Sequence, residues 1–177
     1  MRDWFLIDLG LTGASGDVTR AANRLQQAQD PEIESLYRQA TETAVTDQVA
    51  CGVDIPTDGE QRRENYIHYH CRHLTGFDFE NLTSLTLRDG AYTAELPTIR
   101  GKIEPRGEHF LDHDYRIAQS FTDHPVKITV PGPTTIMDTC ANVHYDNPRD
   151  LAFDLADALN YEIRALAAAG CRYIQVD

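Results

Sequence analysis

The chain has 177 residues, enough for one domain with a real core, and its 16 basic against 28 acidic side chains leave a formal charge of −12. That balance argues against nucleic acid or an anionic membrane surface as a partner, because both need a concentrated basic face. No apolar run approaches the roughly 20 residues that span a bilayer, and the first residues, MRDWFLIDLGLTGASGD, make a poor signal peptide. The four cysteines (Cys51, Cys71, Cys140, Cys171) are widely spaced and form no CxxC pair. They predict reduced thiols and a cytoplasmic protein.

In chain order, GLTGASGD at 10–17 has the glycines of a phosphate loop but lacks the strand, the helix register and the lysine that such a loop uses. The segment 10–30 reads as an irregular lead-in or a docked helix. Residues 32–60 then follow a simple grammar. Ile33, Leu36, Tyr37, Ala40, Ala44 and Val45 recur at helical spacing, Gly52 stops the helix, and a short apolar run, Val53 to Ile55, ends in the polar turn PTDGE. A helix starting near Glu60 carries the string IHYHCRH at 67–73. Zinc pairs on a helix sit at i, i+4 or i, i+3 on one face. Here His70/His73 and His68/Cys71 are each three apart but point in different directions, so the string is read as ordinary helix side chains and no metal ligand is assigned to it.

Residues 76–105 alternate with period two around Asp89-Gly90, which predicts a β-hairpin inserted after that helix, within a single domain spanning 1–177. A helix over DHDYRIAQSFTD leads to the strand of HPVKITVPGPTT at 124–135, and a shorter helix starts from Thr134. The grammar of 32–60 returns at 147–177. Asn147 caps, Pro148 takes the first helical position, and Leu151, Leu155, Leu159, Ile163 and Leu166 form a stripe. Gly170 stops the helix, and the strand CRYIQV ends at Asp177. Helices alternating with short apolar strands predict an α/β fold with a parallel sheet.

In such a fold, ligand-binding groups collect beyond the C-terminal ends of the strands. Three strand ends therefore share one rim, carrying Asp58 and Glu60, the PGPTT turn with Thr134 and Thr135, and Asp177. Each group also has a plainer role. Asp58 and Glu60 can cap the following helix and favour its dipole, and Thr134 can cap the next one. Asp177 closes an apolar strand, where a carboxylate is costly unless it is paired or used. Neither a GxSxG elbow nor an HExxH helix occurs.

Taken together, DIPTDGEQRRENY, KITVPGPTT and AAGCRYIQVD resemble the C-terminal catalytic barrel of the cobalamin-independent methionine synthases, in order over residues 31–177. The resemblance implies a (β/α)8 TIM-barrel type fold, about the first half of it, with the hairpin as an insertion. It implies a methyltransferase that moves a methyl group from 5-methyltetrahydrofolate, as its polyglutamate, to the thiol of homocysteine, forming methionine. By the same resemblance Glu60 and Asp177 bind the homocysteine amino group, Asp58 accompanies Glu60, and Gly132, Pro133 and Thr134 form part of the pocket wall near the folate side. The family's zinc is held by a His-x-Cys pair, a Glu and a Cys, all downstream of the strand that ends here at Asp177. The expectation is thus that this chain holds no zinc ligand, is inactive alone, and needs the missing barrel half or a copy of itself. The residues leave two alternatives open: a related barrel that uses another donor, such as a methylcorrinoid, or another thiol; and a non-catalytic half-barrel that acts as a binding or partner subunit.

Overall fold

The structure is a computed structural model and describes residues 16–28, 31–87 and 91–177. In chain order these form α1 (Asp17–Ala28), α2 (Pro31–Ala50), α3 (Tyr66–Arg72), β1 (Phe77–Leu87), β2 (Tyr92–Ile99), α4 (Leu111–Gln119), β3 (Lys127–Val130), α5 (Pro133–Thr139), β4 (Ala141–Asn142), α6 (Pro148–Ala168) and β5 (Tyr173–Val176). Most of the GLTGASGD string and the Asp89-Gly90 turn lie outside the described residues.

The two longest helices differ in how they meet the core. In α6 the Asn147 side chain accepts the Arg149 amide at 3.0 Å, Pro148 occupies the first position, and Gly170 closes the end at φ +97°. Its stripe is buried at Leu151, Leu155, Ala158, Leu159 and Leu166, and each large aliphatic side chain there contributes on the order of 2 kcal/mol. In α2 only Thr41 and Val45 are buried, and Leu36, expected in the stripe, is 56% exposed.

Helix α4 has an unusual start. Its N-cap, Phe110, makes no side-chain cap bond. The buried carboxylate of Glu162, reaching across from α6, accepts the Phe110 and Leu111 amides at 3.2 and 3.4 Å, and meets His109 Nδ1 at 3.1 Å. An acid at this end satisfies orphan amides and favours the helix dipole.

Strands β3 and β5 pair in parallel from Lys127↔Tyr173 to Val130↔Val176. On the other side of β3, Thr57 bridges Lys127 in parallel, and the Lys127 amide donates to the Pro56 carbonyl at 2.9 Å. Three chain segments thus run side by side in sequence order, as consecutive staves of a (β/α)8 wall do. Ile128 and Val130 are fully buried beneath them. The expected strand at Val53–Ile55 is reduced to this single bridge, for two local reasons. Pro56 has no N–H to give a ladder, and the Gln48 side chain takes both backbone groups of Thr57, each at 3.0 Å.

The hairpin β1–β2 is antiparallel, with an irregularity between Asp78 and Thr83, and β4 adds to β2 in parallel at Thr98 and Ile99. The Asp78 carboxylate makes the irregularity by accepting the Glu80 and Asn81 amides at 2.9 Å. Helix α1 docks on this hairpin through Asn23, which donates to the Phe79 carbonyl at 3.0 Å.

Candidate functional site

The PTDGE turn does not begin a helix. Gly59 and Glu60 both have positive φ, +65° and +54°, and α3 starts only at Tyr66, where Asn65 Oδ1 accepts the Ile67 and His68 amides at 2.9 and 3.0 Å. The capping role open to Asp58 and Glu60 therefore belongs to Asn65. A glutamate at positive φ is strained. The strain is held in place from below: a Cβ on Gly59 would lie 2.8 Å from Ala44 Cβ, so the turn sits directly on α2.

Asp58 is buried at 3% exposure and serves the turn. Its Oδ1 accepts the Glu60 amide at 3.1 Å, and its Oδ2 accepts Arg63 Nη2 at 3.1 Å. The Arg63 side chain is fully buried. Its Nη1 donates to the Thr129 carbonyl on β3 at 2.9 Å and lies 3.7 Å from Glu60 Oε1. One guanidinium thus ties the turn to the end of the neighbouring stave. Burial pushes the Asp58 carboxyl above its usual range, and Arg63 opposes that push.

Glu60 keeps 40% of its side chain exposed. Burial raises its pKa first, Arg63 works against this, and the charges of Asp58 and Asp177 add to it. Asp177 extends β5, its amide donating to the Val130 carbonyl at 3.0 Å, and Gln175 Nε2 donates to its Oδ1 at 2.6 Å. The half-buried Tyr66 feels both acids: after burial, the charges of Asp177 and Glu60 raise its pKa. Glu60, Tyr66 and Asp177 therefore share one neighbourhood at the C-terminal ends of the staves.

The PGPTT turn closes one side. Gly132, not Thr134, is the N-cap of α5, and the Gly132 amide donates to the Asp177 backbone oxygen. Thr135 Oγ1 donates to the same oxygen at 2.9 Å. Pro133 is the first helical residue, and Thr134 stands exposed in the first turn. A Cβ at Gly132 would come within 2.7 Å of the Asp177 oxygen. Gly132→Ala is therefore expected to cost about 1–3 kcal/mol by forcing the two strand ends apart, a loss that thermal unfolding would register along with displacement of Asp177.

The string IHYHCRH is dispersed over several partners. His68 Nε2 lies 3.3 Å from the Thr139 carbonyl, His70 Nδ1 lies 2.7 Å from the Tyr66 carbonyl, and His73 stacks on Phe110 with centroids 3.8 Å apart. Burial depresses both His70 and His73, the latter to about 4. Among the described residues no group of three or more His, Cys, Asp or Glu is disposed to hold a metal ion. A zinc centre does not fit these described residues.

Sequence reasoning placed Asp58, Glu60, Gly132, Pro133, Thr134 and Asp177 on one rim; the structure sets Gly132 against Asp177 and ties the Asp58–Glu60 turn to β3 through Arg63, with Asp58 itself buried under that turn. It overlooked Arg63, Tyr66 and Gln175. Arg63 stands three residues beyond Glu60, a spacing that could have signalled a partner for the acids of that turn.

Residues 12–177 match the family model described as the cobalamin-independent synthase catalytic domain. Among curated proteins, methionine synthase of Sulfolobus acidocaldarius is 33% identical over 156 residues, covering 88% of this chain and 45% of that protein. Methionine synthase of Saccharolobus solfataricus is 35% identical over 163 residues, covering 89% and 48%. The chain thus spans about half the length of these relatives. A B12-independent methionine synthase from Shewanella sp. W3-18-1, solved in complex with selenomethionine, superposes with a TM-score of 0.78 at 34% identity, over 84% of this chain and 43% of that one. A putative vitamin-B12 independent methionine synthase from Listeria monocytogenes, 23% identical with a TM-score of 0.66, shares the fold over 90% of this chain. The chain belongs to the cobalamin-independent methionine synthase family and forms part of its catalytic (β/α)8 barrel.

Proposed function

We propose that this part of the barrel binds the amino-acid end of homocysteine, the thiol that accepts a methyl group from 5-methyltetrahydrofolate to form methionine. The observation that carries the reading is that Arg63, 3.7 Å from Glu60, also holds the Thr129 carbonyl of β3, whose next residue Val130 accepts the Asp177 amide at 3.0 Å, so that the two acids end neighbouring staves. Two carboxylates facing one opening repel each other, and a ligand ammonium between them relieves that repulsion while making charge-assisted hydrogen bonds. Arg63, 3.7 Å from Glu60, supplies a compensating positive charge from below. The Shewanella relative's complex with selenomethionine, an amino acid of the same kind, supports this assignment.

In this reading the chain's own residues bind and orient. Asp58 and Arg63 fix the strained turn, Gly132 and Thr135 fix the Asp177 backbone, and the acceptor's thiol is left pointing out of the clamp. Tyr173 and Val176 of β5 are 42% and 54% exposed, an apolar surface that further barrel strands added along β5 would cover.

Glu60→Gln, made in a complete barrel carrying residues 1–177, is expected to weaken homocysteine binding about 10- to 100-fold by removing one charge-assisted contact. Titration calorimetry reads this directly, and unchanged affinity removes Glu60 from the site. The pH dependence has a definite sign. The ammonium needs Glu60 ionised, and the Glu60 pKa is raised, so affinity falls as pH drops, starting above the ordinary carboxylate range.

A further inference from the structure

Helix α3 and the end of α5 bury two thiols and an imidazole against each other. Cys71 is fully buried, Cys140 is 5% exposed, and His68 is 9% exposed. His68 and Cys71 are three residues apart and share the face of α3 that packs on α5. The helix carrying His68 and Cys71 packs on α5, His68 Nε2 lies 3.3 Å from the carbonyl of Thr139, the residue before Cys140, and the electrostatics of the Cys140 thiol are set by Cys71 and His68. The other two cysteines stand apart. Cys51 is exposed, and Cys171 is tied to the Tyr173 carbonyl at 3.4 Å.

We propose that Cys140 and Cys71 form an internal thiol redox pair, with Cys140 as the thiol attacked by a small hydroperoxide, Cys71 as the resolving thiol and His68 as the proton carrier. The three side chains divide these roles by position. Cys140 is the residue of the pair that retains some surface, 5%, and lies at a helix end, so the oxidant is assigned to it. Cys71 has none, and its immediate neighbour is the sulfur it attacks. The electrostatics agree with this division. The hydrogen bond from Cys71 leads in lowering the Cys140 pKa, against burial and with help from His68. Burial first, and then that same bond, hold the Cys71 proton in place.

The chemistry balances. Cys140 gives its proton to His68, its sulfur attacks one peroxide oxygen, the O–O bond breaks, and a sulfenic acid forms while hydroxide leaves as water with that same proton, returning His68 to the neutral imidazole. Cys71 then gives its proton to the neutral imidazole and attacks the Cys140 sulfur. The S–S bond forms, the S–O bond breaks, and a second water leaves. Two thiols lose two electrons, and hydrogen peroxide is reduced to two waters. The resulting disulfide staples α3, which follows the Glu60 turn, to the junction of α5 and β4 that holds the hairpin.

The test uses the full chain with Cys51→Ser, which removes the exposed thiol. After treatment with hydrogen peroxide and alkylation, non-reducing peptide mapping is expected to give a Cys71–Cys140 linked pair that dithiothreitol reverses. Adding Cys71→Ser stops the reaction at a Cys140 sulfenic acid trapped by dimedone. His68→Gln slows the oxidation about tenfold, by analogy with other imidazole-assisted thiols. Cys71 and Cys140 remaining reduced while Cys171 is oxidised, or linking only in denaturant, overturns the proposal. The Cys51→Ser map decides this even if the further variants fail to fold, and it does not depend on whether homocysteine binds.

Discussion

Arg63→Met is expected to be the most damaging single substitution in the chain, lowering stability by about 3–5 kcal/mol. For a domain of this size that is a fall of roughly 10 °C in thermal midpoint. The cost does not come from lost attraction alone. Methionine fills much of the same space, but it leaves the Asp58 carboxylate buried without its cation and the Thr129 carbonyl without its donor. The loss also has a pH signature. Burial already raises the Asp58 pKa, with Arg63 opposing it, so removing Arg63 raises it further. The folded variant then keeps a proton that the unfolded chain releases, and stability falls as pH rises through the interval between the two pKa values. Denaturant unfolding at several pH values is expected to show a larger deficit at neutral pH than in mild acid. Arg63→Lys recovers only part of it, because one ammonium cannot span Asp58, Glu60 and Thr129 as the planar fork does.

Glu162→Ala is expected to cost about 2–4 kcal/mol, far more than an ordinary helix-surface glutamate. The side chain is 3% exposed and serves two amides at the start of α4 as well as His109. Truncation strands those donors in a buried place, at the penalty of unsatisfied groups. Glu162→Gln keeps an acceptor and is expected to lose roughly half as much. Hydrogen exchange separates this account from a general loosening: protection is lost first at the Phe110 and Leu111 amides, and α2 is affected last.

The C-terminal unit was legible from sequence because its determinants are local. Asn147, Pro148 and Gly170 act within a few residues of themselves, and the leucine stripe states which face is buried. The rim was legible for a related reason: in a parallel sheet the strand direction alone fixes which loops share an end. What escaped were side chains acting at a distance or against type. Gln48 replaces a strand ladder at Thr57, and nothing in its spacing announces that. Arg63 went unremarked in a charged stretch, yet it is the buried tie between two staves. The helix start, expected near Glu60 and found at Tyr66, was misplaced by six residues because Asp58 and Glu60 are plausible caps, and only the positive φ of Gly59 and Glu60 shows that the chain turns there instead. In IHYHCRH, helical spacing pairs His68 with Cys71, while their third neighbour, Cys140, comes from a different helix end altogether.

The central claim is that Glu60 and Asp177 jointly hold a single ammonium. Its most direct test compares homocysteine with 4-mercaptobutanoate, which has the same thiol and carboxylate but no amino group, by calorimetry on a complete barrel carrying this chain. Homocysteine is expected to bind at least about 100-fold more tightly, the worth of two charge-assisted contacts, and Asp177→Asn combined with Glu60→Gln should erase the preference. Equal affinity for the two thiols in the unmodified protein would contradict the account.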